Sequence, residues 1–302
     1  MALILNYKSS ASGMVDYTVN AGTKVYSRKY KNDGTFSHDG FVFQFIQGTQ
    51  TINMLIEQDT NAKSFQPVQS KFSINQRFSF LERFTKMVLD GETASAIVTG
   101  EGGLGKSHVV MSQVAKKGMV EGEDYVLFKG FATPKALYST LYENKDKTII
   151  FDDCDSVLKD PTSINILKGA LDSYDKRTIS WLTKGFIDDG LPSSFDFEGQ
   201  VIFISNLSID KIDQAIKSRS MAIDLSMSID DKIDRMRYIL PNVMADYEMG
   251  LKETALDFMC LHANEAVEFN MRTLQKIIRV VHAYGLETEE WKDAAQYLLT
   301  NA

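Results

Sequence analysis

The sequence predicts an α/β protein with a central parallel sheet, a small β-rich module before it and a lobe of helices after it. In the central part, apolar strand-like runs alternate with helical segments, which is the pattern of a parallel sheet. The first of these strands runs into a glycine-rich loop at residues 100–107. After Ser228 only helical periodicity remains. The predicted domains are 1–72, 73–227 and 228–302.

Short β-type runs dominate the first part of the chain. They lie at residues 2–7, 24–30, 40–46 and 51–56, and turn signals such as Asn32-Asp33-Gly34 separate them. A linker rich in Gln, Ser and Lys follows at residues 61–73. We therefore expect a β-rich N-terminal module that is separate from the rest of the chain.

The central part reads as alternating strands and helices. Strands are predicted at residues 94–99, 124–129, 148–151, 200–205 and 221–225, and helices at 106–117, 134–144, 164–174 and 209–217. Thr133 followed by Pro134 is a typical helix start. In the last part, four helices are predicted near residues 229–240, 252–266, 271–284 and 287–299.

Composition and charge restrict the possible functions. The 302 residues include 44% apolar and 24% charged residues, an ordinary core-forming balance. The net charge of −7 counts against a large basic nucleic-acid surface, although a few lysines per subunit suffice inside a ring. The two cysteines, Cys154 and Cys260, indicate neither a disulfide framework nor a zinc site.

No sequence feature indicates a membrane or an export signal. No window has the ~18 consecutive apolar residues of a membrane span. The first ten residues lack the basic segment of a signal peptide. The expectation is a cytoplasmic protein without a membrane partner.

Residues 100–107 (GEGGLGKS) fit the phosphate-loop pattern G-x-x-x-x-G-K-[ST]. Glycines let consecutive backbone N–H groups point at phosphate oxygens, and the following helix directs its positive end at the same place. Lys106 is expected to reach the β- and γ-phosphates of ATP, and Ser107 to ligate Mg²⁺. The alternative is a glycine-rich turn without a ligand. The nucleotide-binding residues predicted here are Gly100, Gly102, Gly103, Leu104, Gly105, Lys106, Ser107 and His108.

An apolar strand at residues 148–151 runs into two carboxylates. Asp152 fits the acid that lies near Mg²⁺ beside a phosphate loop, and Asp153 is placed to orient the attacking water. The alternative is a solvated aspartate-rich loop, since Asp155 follows.

From about Ser73 to Ala302 the sequence resembles the AAA+ ATPases, with GEGGLGKS as Walker A and IIFDD as Walker B. The resemblance implies that Asn206 is the sensor 1 residue that positions the attacking water. It also implies that Arg219, in a Ser-Arg motif like that of clamp loaders, is an arginine finger for the neighbouring subunit. Arg272 matches the sensor 2 arginine, with Arg279 as the fallback.

Each of these assignments has a plainer alternative. Asn206 fits a turn residue at a strand end. Arg219 fits a surface charge or an ion-pair partner within its own subunit. Arg272 fits a solvated basic helix face. The sequence also departs from most members at Asp153, where they have glutamate, so the motifs indicate nucleotide binding more directly than hydrolysis.

Two segments are candidates for contact with a polymer. Residues 177–199 are longer than a simple connection and read as a hairpin inserted before the sensor 1 strand, as in helicase-like members, with Lys184 and Phe186 near its tip. The alternative is a loop packed on its own subunit. Phe131, beside Gly130, resembles the peptide-gripping loop of unfoldases, but we favour core packing for its ring.

The resemblance implies a homo-oligomeric ring, six subunits being the family default, that hydrolyses ATP with Mg²⁺. The favoured function is a motor or loader acting on nucleic acid in the channel, from a phage or bacterium. One alternative is a protein-remodelling ATPase whose N-terminal module holds a protein partner. The other is an ATP-gated assembly switch with slow hydrolysis.

Overall fold

The computed structural model describes residues 4–9, 14–19, 25–30, 34–38, 41–45, 52–55, 70–174, 176–181 and 190–301. The chain divides into two compact units, Met1–Ser70 and Lys71–Ala302. The predicted boundary between the sheet domain and the helical lobe lies inside the second unit, so the three-domain division stays a prediction.

The first unit contains two antiparallel three-stranded sheets, in the orders β1-β2-β3 and β4-β5-β6. The strands are β1 (Ile4–Ser9), β2 (Met14–Val19), β3 (Val25–Lys29), β4 (Thr35–His38), β5 (Phe41–Phe45) and β6 (Ile52–Leu55). Val15, Tyr17, Phe36 and Phe43 are buried, and the Tyr17 and Phe36 rings lie 4.9 Å apart. The β-rich character of this segment is confirmed, although β2 and β4 lie outside the predicted runs.

The second unit is built on a five-stranded parallel sheet in the order β13-β7-β12-β9-β8. Its strands are β7 (Ser95–Thr99), β8 (Tyr125–Lys129), β9 (Thr148–Asp152), β12 (Gln200–Ile204) and β13 (Met221–Asp224). The helices of this part are α1 (Ile74–Leu89), α2 (Lys106–Lys116), α3 (Pro134–Glu143), α4 (Ser156–Lys159), α5 (Pro161–Ala170) and α6 (Gln214–Arg219). The predicted α/β fold class is confirmed.

Helices cover both faces of the sheet, which explains why its strands are continuous apolar runs. Successive side chains of a strand point to opposite faces. Ile97 therefore joins the cluster of α3 and α5, whereas Ala96 and Val98 join the cluster of α1 and α2. The capping box of Ser73 and Gln76 fixes the start of α1.

The C-terminal lobe consists of four helices around an apolar cluster of its own. They are α7 (Ile229–Ile239), α8 (Met249–Leu261), α9 (Met271–Tyr284) and α10 (Glu290–Asn301). Helix α9 has the predicted bounds, because Asn270 caps it and its buried residues repeat at helical spacing. Among the described residues, no helix combines the length and the apolar character of a membrane span.

The insertion before β12 contains the expected antiparallel pair, β10 (Thr178–Ser180) and β11 (Ser194–Asp196). The base of this hairpin packs on the sheet domain, since Ile179 and Phe195 belong to its apolar cluster. Lys184 and Phe186 lie outside the described residues.

The core-packing prediction for Phe131 is wrong, because the side chain is 81% exposed. It follows Lys129 and Gly130 at the end of β8, which is an edge strand of the sheet. The loop then turns directly into α3. The Phe131 ring therefore lies outside the part of the sheet that the helices cover.

Candidate nucleotide-binding site

The loop between β7 and α2 has the backbone that its glycines permit. Gly100, Gly103 and Gly105 have φ angles of +131°, +76° and +94°, a region that other residues rarely adopt. Gly105 is also the N-cap of α2, so the N-terminus of this helix opens at the loop. A strand, a curled glycine loop and a helix N-terminus form an anion-binding arrangement.

Alanine at position 100 is expected to destabilise the fold. Its Cβ would lie 2.9 Å from the carbonyl carbon and oxygen of Leu225, in addition to the strain of the positive φ. We expect a loss of ~2–5 kcal/mol in the free energy of unfolding, measured by urea denaturation. Gly118→Ala is the control, because its φ is also positive but nothing lies within 4 Å of its Cβ. Equal losses in the two variants would contradict the close approach at Leu225.

Lys106 is buried within the loop. Its Nζ donates to the carbonyl oxygens of Gly100 and Glu101, at 2.6 and 2.7 Å, and to Oδ1 of Asn206 at 2.9 Å. These bonds hold the amine at the mouth of the loop, where the resemblance places the phosphates. Burial lowers the pKa of Lys106 to about 8, opposed by the charges of Asp153, Asp152 and Asp155.

The depressed pKa of Lys106 predicts a pH dependence of ATP binding. Phosphate oxygens favour the charged form of the Lys106 amine. At pH values where the amine of the free protein is deprotonated, ATP binding must therefore be accompanied by uptake of a proton. ATP affinity should therefore fall as the pH rises through about 8 and be ~10-fold weaker at pH 9 than at pH 7. Calorimetric titration measures this directly, with Lys106→Arg as a non-titrating control. A flat profile for the unmodified protein would contradict the assignment.

Ser107 and Asp152 meet at the start of α2. The Ser107 hydroxyl donates to Oδ1 of Asp152 at 2.8 Å, and Lys129 Nζ lies 3.3 Å from Oδ2 of the same carboxylate. A hydroxyl and a carboxylate are oxygen donors of the kind Mg²⁺ prefers, and this ion usually takes only one or two protein ligands beside phosphates. The described residues contain no cluster of three His, Cys, Asp or Glu able to hold a metal ion by themselves. The donor set thus fits Mg²⁺ bound together with a nucleotide.

Asp153 and Asn206 lie together at the carboxyl ends of adjacent parallel strands. Strand pairing sets Asp152 opposite Ile204, and the Asn206 Nδ2 donates to Oδ1 of Asp153 at 2.6 Å. The other amide atom of Asn206 accepts from Lys106. Asn206 therefore joins the lysine to the second carboxylate, an arrangement that a simple turn residue would not need.

Asp153 has a φ of +56°, one of only two positive values at non-glycine residues in the described ranges. Asp and Asn tolerate this left-handed conformation better than longer side chains. The conformation gives a physical reason for an aspartate at this position.

The helical lobe faces the loop across a cavity of about 600 Å³. Arg272 and His108 are exposed and line it, whereas Arg279 does not. Two contacts connect lobe and loop directly. The Met271 amide donates to the Gly103 carbonyl at 3.0 Å, and Lys232 pairs with Glu101 at 2.5 Å.

Arg219 is not brought to this cavity. It ends α6 and is half-buried, and its Nη1 donates to the carbonyl of Ala215 at 3.1 Å. It forms no ion pair with any residue in the described part of the chain. The role of Arg219 toward a neighbouring subunit stays a prediction.

Sequence patterns did not reveal four side chains that the fold brings to this region. Lys129 reaches Asp152, and Glu82, Arg235 and Tyr238 line the cavity from α1 and α7. Lys129 ends a predicted strand beside the Walker B strand, and this position could have been used to predict that its amine lies near Asp152. The other three depend on how the lobe packs against α1, which no local pattern encodes.

No family model matches the chain. It is 26% identical over 261 residues to an uncharacterised 36.7 kDa protein of Enterobacteria phage T4, covering 78% of this chain and 80% of that protein. A bacteriophage relative thus exists, in agreement with the expected phage or bacterial character.

Three solved structures are among those with a similar course of the chain. Domain III of the Thermotoga maritima replication initiation protein DnaA is 15% identical, with a TM-score of 0.45, over 78% of this chain and 100% of that one. The Aeropyrum pernix ORC1 protein, solved in complex with DNA, is 14% identical, with a TM-score of 0.41, over 74% and 64%. Trip13 from the E. coli MS115-1 HORMA:CdnC:Trip13 complex is 11% identical, with a TM-score of 0.43, over 76% and 88%.

The chain has a parallel α/β core with a phosphate loop and an acidic strand end beside it.

Proposed function

We propose that this AAA+-like protein binds ATP together with Mg²⁺ and hydrolyses it. One observation carries the proposal: Lys106, Ser107, Asp152, Asp153 and Asn206 converge at one edge of the parallel sheet through direct hydrogen bonds. Convergence of a cation, an oxygen ligand pair and a base-like carboxylate beside a helix N-terminus is what phosphoryl transfer requires.

Each residue has a distinct part in the proposed reaction. The loop amides and Lys106 bind the β- and γ-phosphates, and Ser107 with Asp152 holds the ion. When bound, Mg²⁺ neutralises charge on the phosphate oxygens. Asp153, held by the amide of Asn206, accepts a proton from the attacking water and orients it. Arg272, which lines the cavity from the helical lobe, contacts the phosphates on the side opposite the loop.

The favoured biological role is an oligomeric motor or loader acting on nucleic acid in the cytoplasm. The observed hairpin before β12 supports it, as does the position of Arg219 away from its own cavity. A finger supplied to a neighbour requires a closed ring or at least a dimer, with a hexamer as the family default. The N-terminal module is then available for a protein partner.

The exposed ring of Phe131 favours a second candidate, a protein-remodelling ATPase. An aromatic side chain that is 81% exposed beside glycine suits contact with an extended polypeptide. The third candidate, an assembly switch with slow hydrolysis, is supported by the aspartate at position 153.

ATPase rates with single-stranded DNA, duplex DNA, RNA and an unfolded protein distinguish these roles. We expect single-stranded nucleic acid to stimulate the rate, since the base-stacking and charged groups of such hairpins suit it. Stimulation by unfolded protein alone, lost in Phe131→Ala, would instead establish the remodelling function. A slow rate that no polymer changes would favour the switch.

A further inference from the structure

The cavity extends well beyond the phosphate loop. Ser112 lines it six residues after Lys106, about 9 Å along the axis of α2. Besides the loop, helices α1 and α7 line the cavity, and Glu82, Arg235 and Tyr238 are the polar side chains that these two helices contribute. A nucleotide whose phosphates lie on the loop directs its base toward this part of the cavity.

Arg235 is held in one position in the wall of this cavity. It is 8% exposed, its guanidinium lies 3.7 Å from the centre of the Phe78 ring, and its Nη1 donates to Oδ1 of Asn75 at 3.1 Å. That bond is the only one its five donors make with the described residues, and its buried Nε has no partner among them. A buried arginine with unused donors at the wall of a cavity is poised to bind an acceptor.

Glu82 places an acceptor beside these donors. Its side chain is exposed, lines the same cavity, and is close enough for its charge to act on Arg235. Adenine presents an N7 acceptor next to an N6 amino donor, whereas guanine presents two acceptors, N7 and O6. A donor beside a carboxylate therefore complements adenine, and the carboxylate repels the O6 of guanine.

We propose that Arg235 and Glu82 read the N7 and N6 edge of adenine and so determine specificity for ATP over GTP. Tyr238, 66% exposed with its ring centre 5.7 Å from the Arg235 guanidinium, offers its face to the base. The inference rests on the proposed nucleotide binding and adds to it the choice of base.

The first test uses Glu82→Gln, a substitution at an exposed position that leaves the fold intact. The unmodified protein should bind ATP ~10–100-fold more tightly than GTP, measured by calorimetry with Mg²⁺. The glutamine amide can donate to O6, so the variant should bring the two affinities within about threefold. Glu92→Gln, an exposed glutamate outside the cavity, should keep the original preference.

The second test uses 7-deaza-ATP, which lacks the N7 acceptor, and inorganic tripolyphosphate, which lacks the base. The deaza analogue should bind the unmodified protein ~5–50-fold more weakly than ATP, and this difference should disappear in Arg235→Met, whose side chain has no hydrogen-bond donor. Tripolyphosphate should bind all of these proteins equally. A thermal melt of each variant establishes that it is folded.

Three results overturn the inference. Equal affinity of the unmodified protein for ATP and GTP does so while leaving nucleotide binding intact. A loss of tripolyphosphate binding in folded Arg235→Met assigns the arginine to phosphate instead. Absence of any binding of ATP and tripolyphosphate to the unmodified protein removes the proposed function itself, and the inference with it.

Discussion

Replacing Arg219 by alanine is expected to lower the turnover number of ATP hydrolysis by ~10³-fold or more, with little change in ATP affinity. The physical reason is that the finger stabilises charge that develops only in the transition state. The structure supports action on a neighbour, because Arg219 ends α6 away from the cavity of its own subunit. The measurement is kcat beside the Kd for ATP. Arg279→Ala, an exposed arginine that does not line the cavity, is the matched control.

Mixing two inactive variants tests whether Arg219 acts between subunits. Arg219→Ala subunits keep an intact phosphate loop, and Lys106→Ala subunits keep an intact finger. In a randomly mixed ring, roughly a quarter of the interfaces then combine an intact loop with an intact finger, so activity should return. If Arg219 served its own subunit, no complete site would form and mixing would restore nothing.

Replacing Lys106 by alanine should weaken ATP binding by ~30–4,000-fold. Loss of a buried charged hydrogen-bond donor to a charged partner typically costs ~2–5 kcal/mol. The buried amine lies at the loop mouth, bound to the carbonyls of Gly100 and Glu101. Calorimetric titration with ATP and Mg²⁺ measures the change, and Lys116→Ala, at the far end of the same helix, is the control.

The Lys106 variant is expected to fold normally. Burial of the amine already disfavours its charged form, as its lowered pKa of about 8 indicates, so alanine removes a desolvation cost. A melting temperature near that of the unmodified protein, together with lost ATP binding, is the expected pair of results. Unchanged ATP affinity would remove Lys106 from the phosphate site.

The elements predicted best are those whose signals are local. The bounds of α9 follow from Asn270 as cap and from its apolar period. The strand, loop and helix around residues 95–116 follow from buried β7, the glycines and Lys106. The meeting of Asp152 and Asn206 at the sheet edge could be anticipated, because neighbouring parallel strands end at the same edge of a sheet.

The features that the sequence did not predict depend on contacts between residues far apart in the chain. Arg235 stacks on Phe78, which lies more than 150 residues earlier in the chain, and no periodicity links the two. The prediction that the Phe131 ring packs in the core is wrong because it uses only the general tendency of apolar residues to be buried. The exposure of this ring results from the edge position of β8. The φ of Asp153 is likewise a property of the loop that the folded sheet imposes, not of the residue type.

The hydrogen bond from the Met271 amide to the Gly103 carbonyl connects the first turn of α9 to the glycine-rich loop at residues 100–107. A ligand that changes the energy of this contact changes the energy of the lobe position by the same amount. Thermodynamic reciprocity then requires that whatever holds the lobe, a second subunit included, alters nucleotide affinity by the factor with which nucleotide alters its own binding. In such a chain, the free energy of subunit assembly and the free energy of nucleotide binding are coupled.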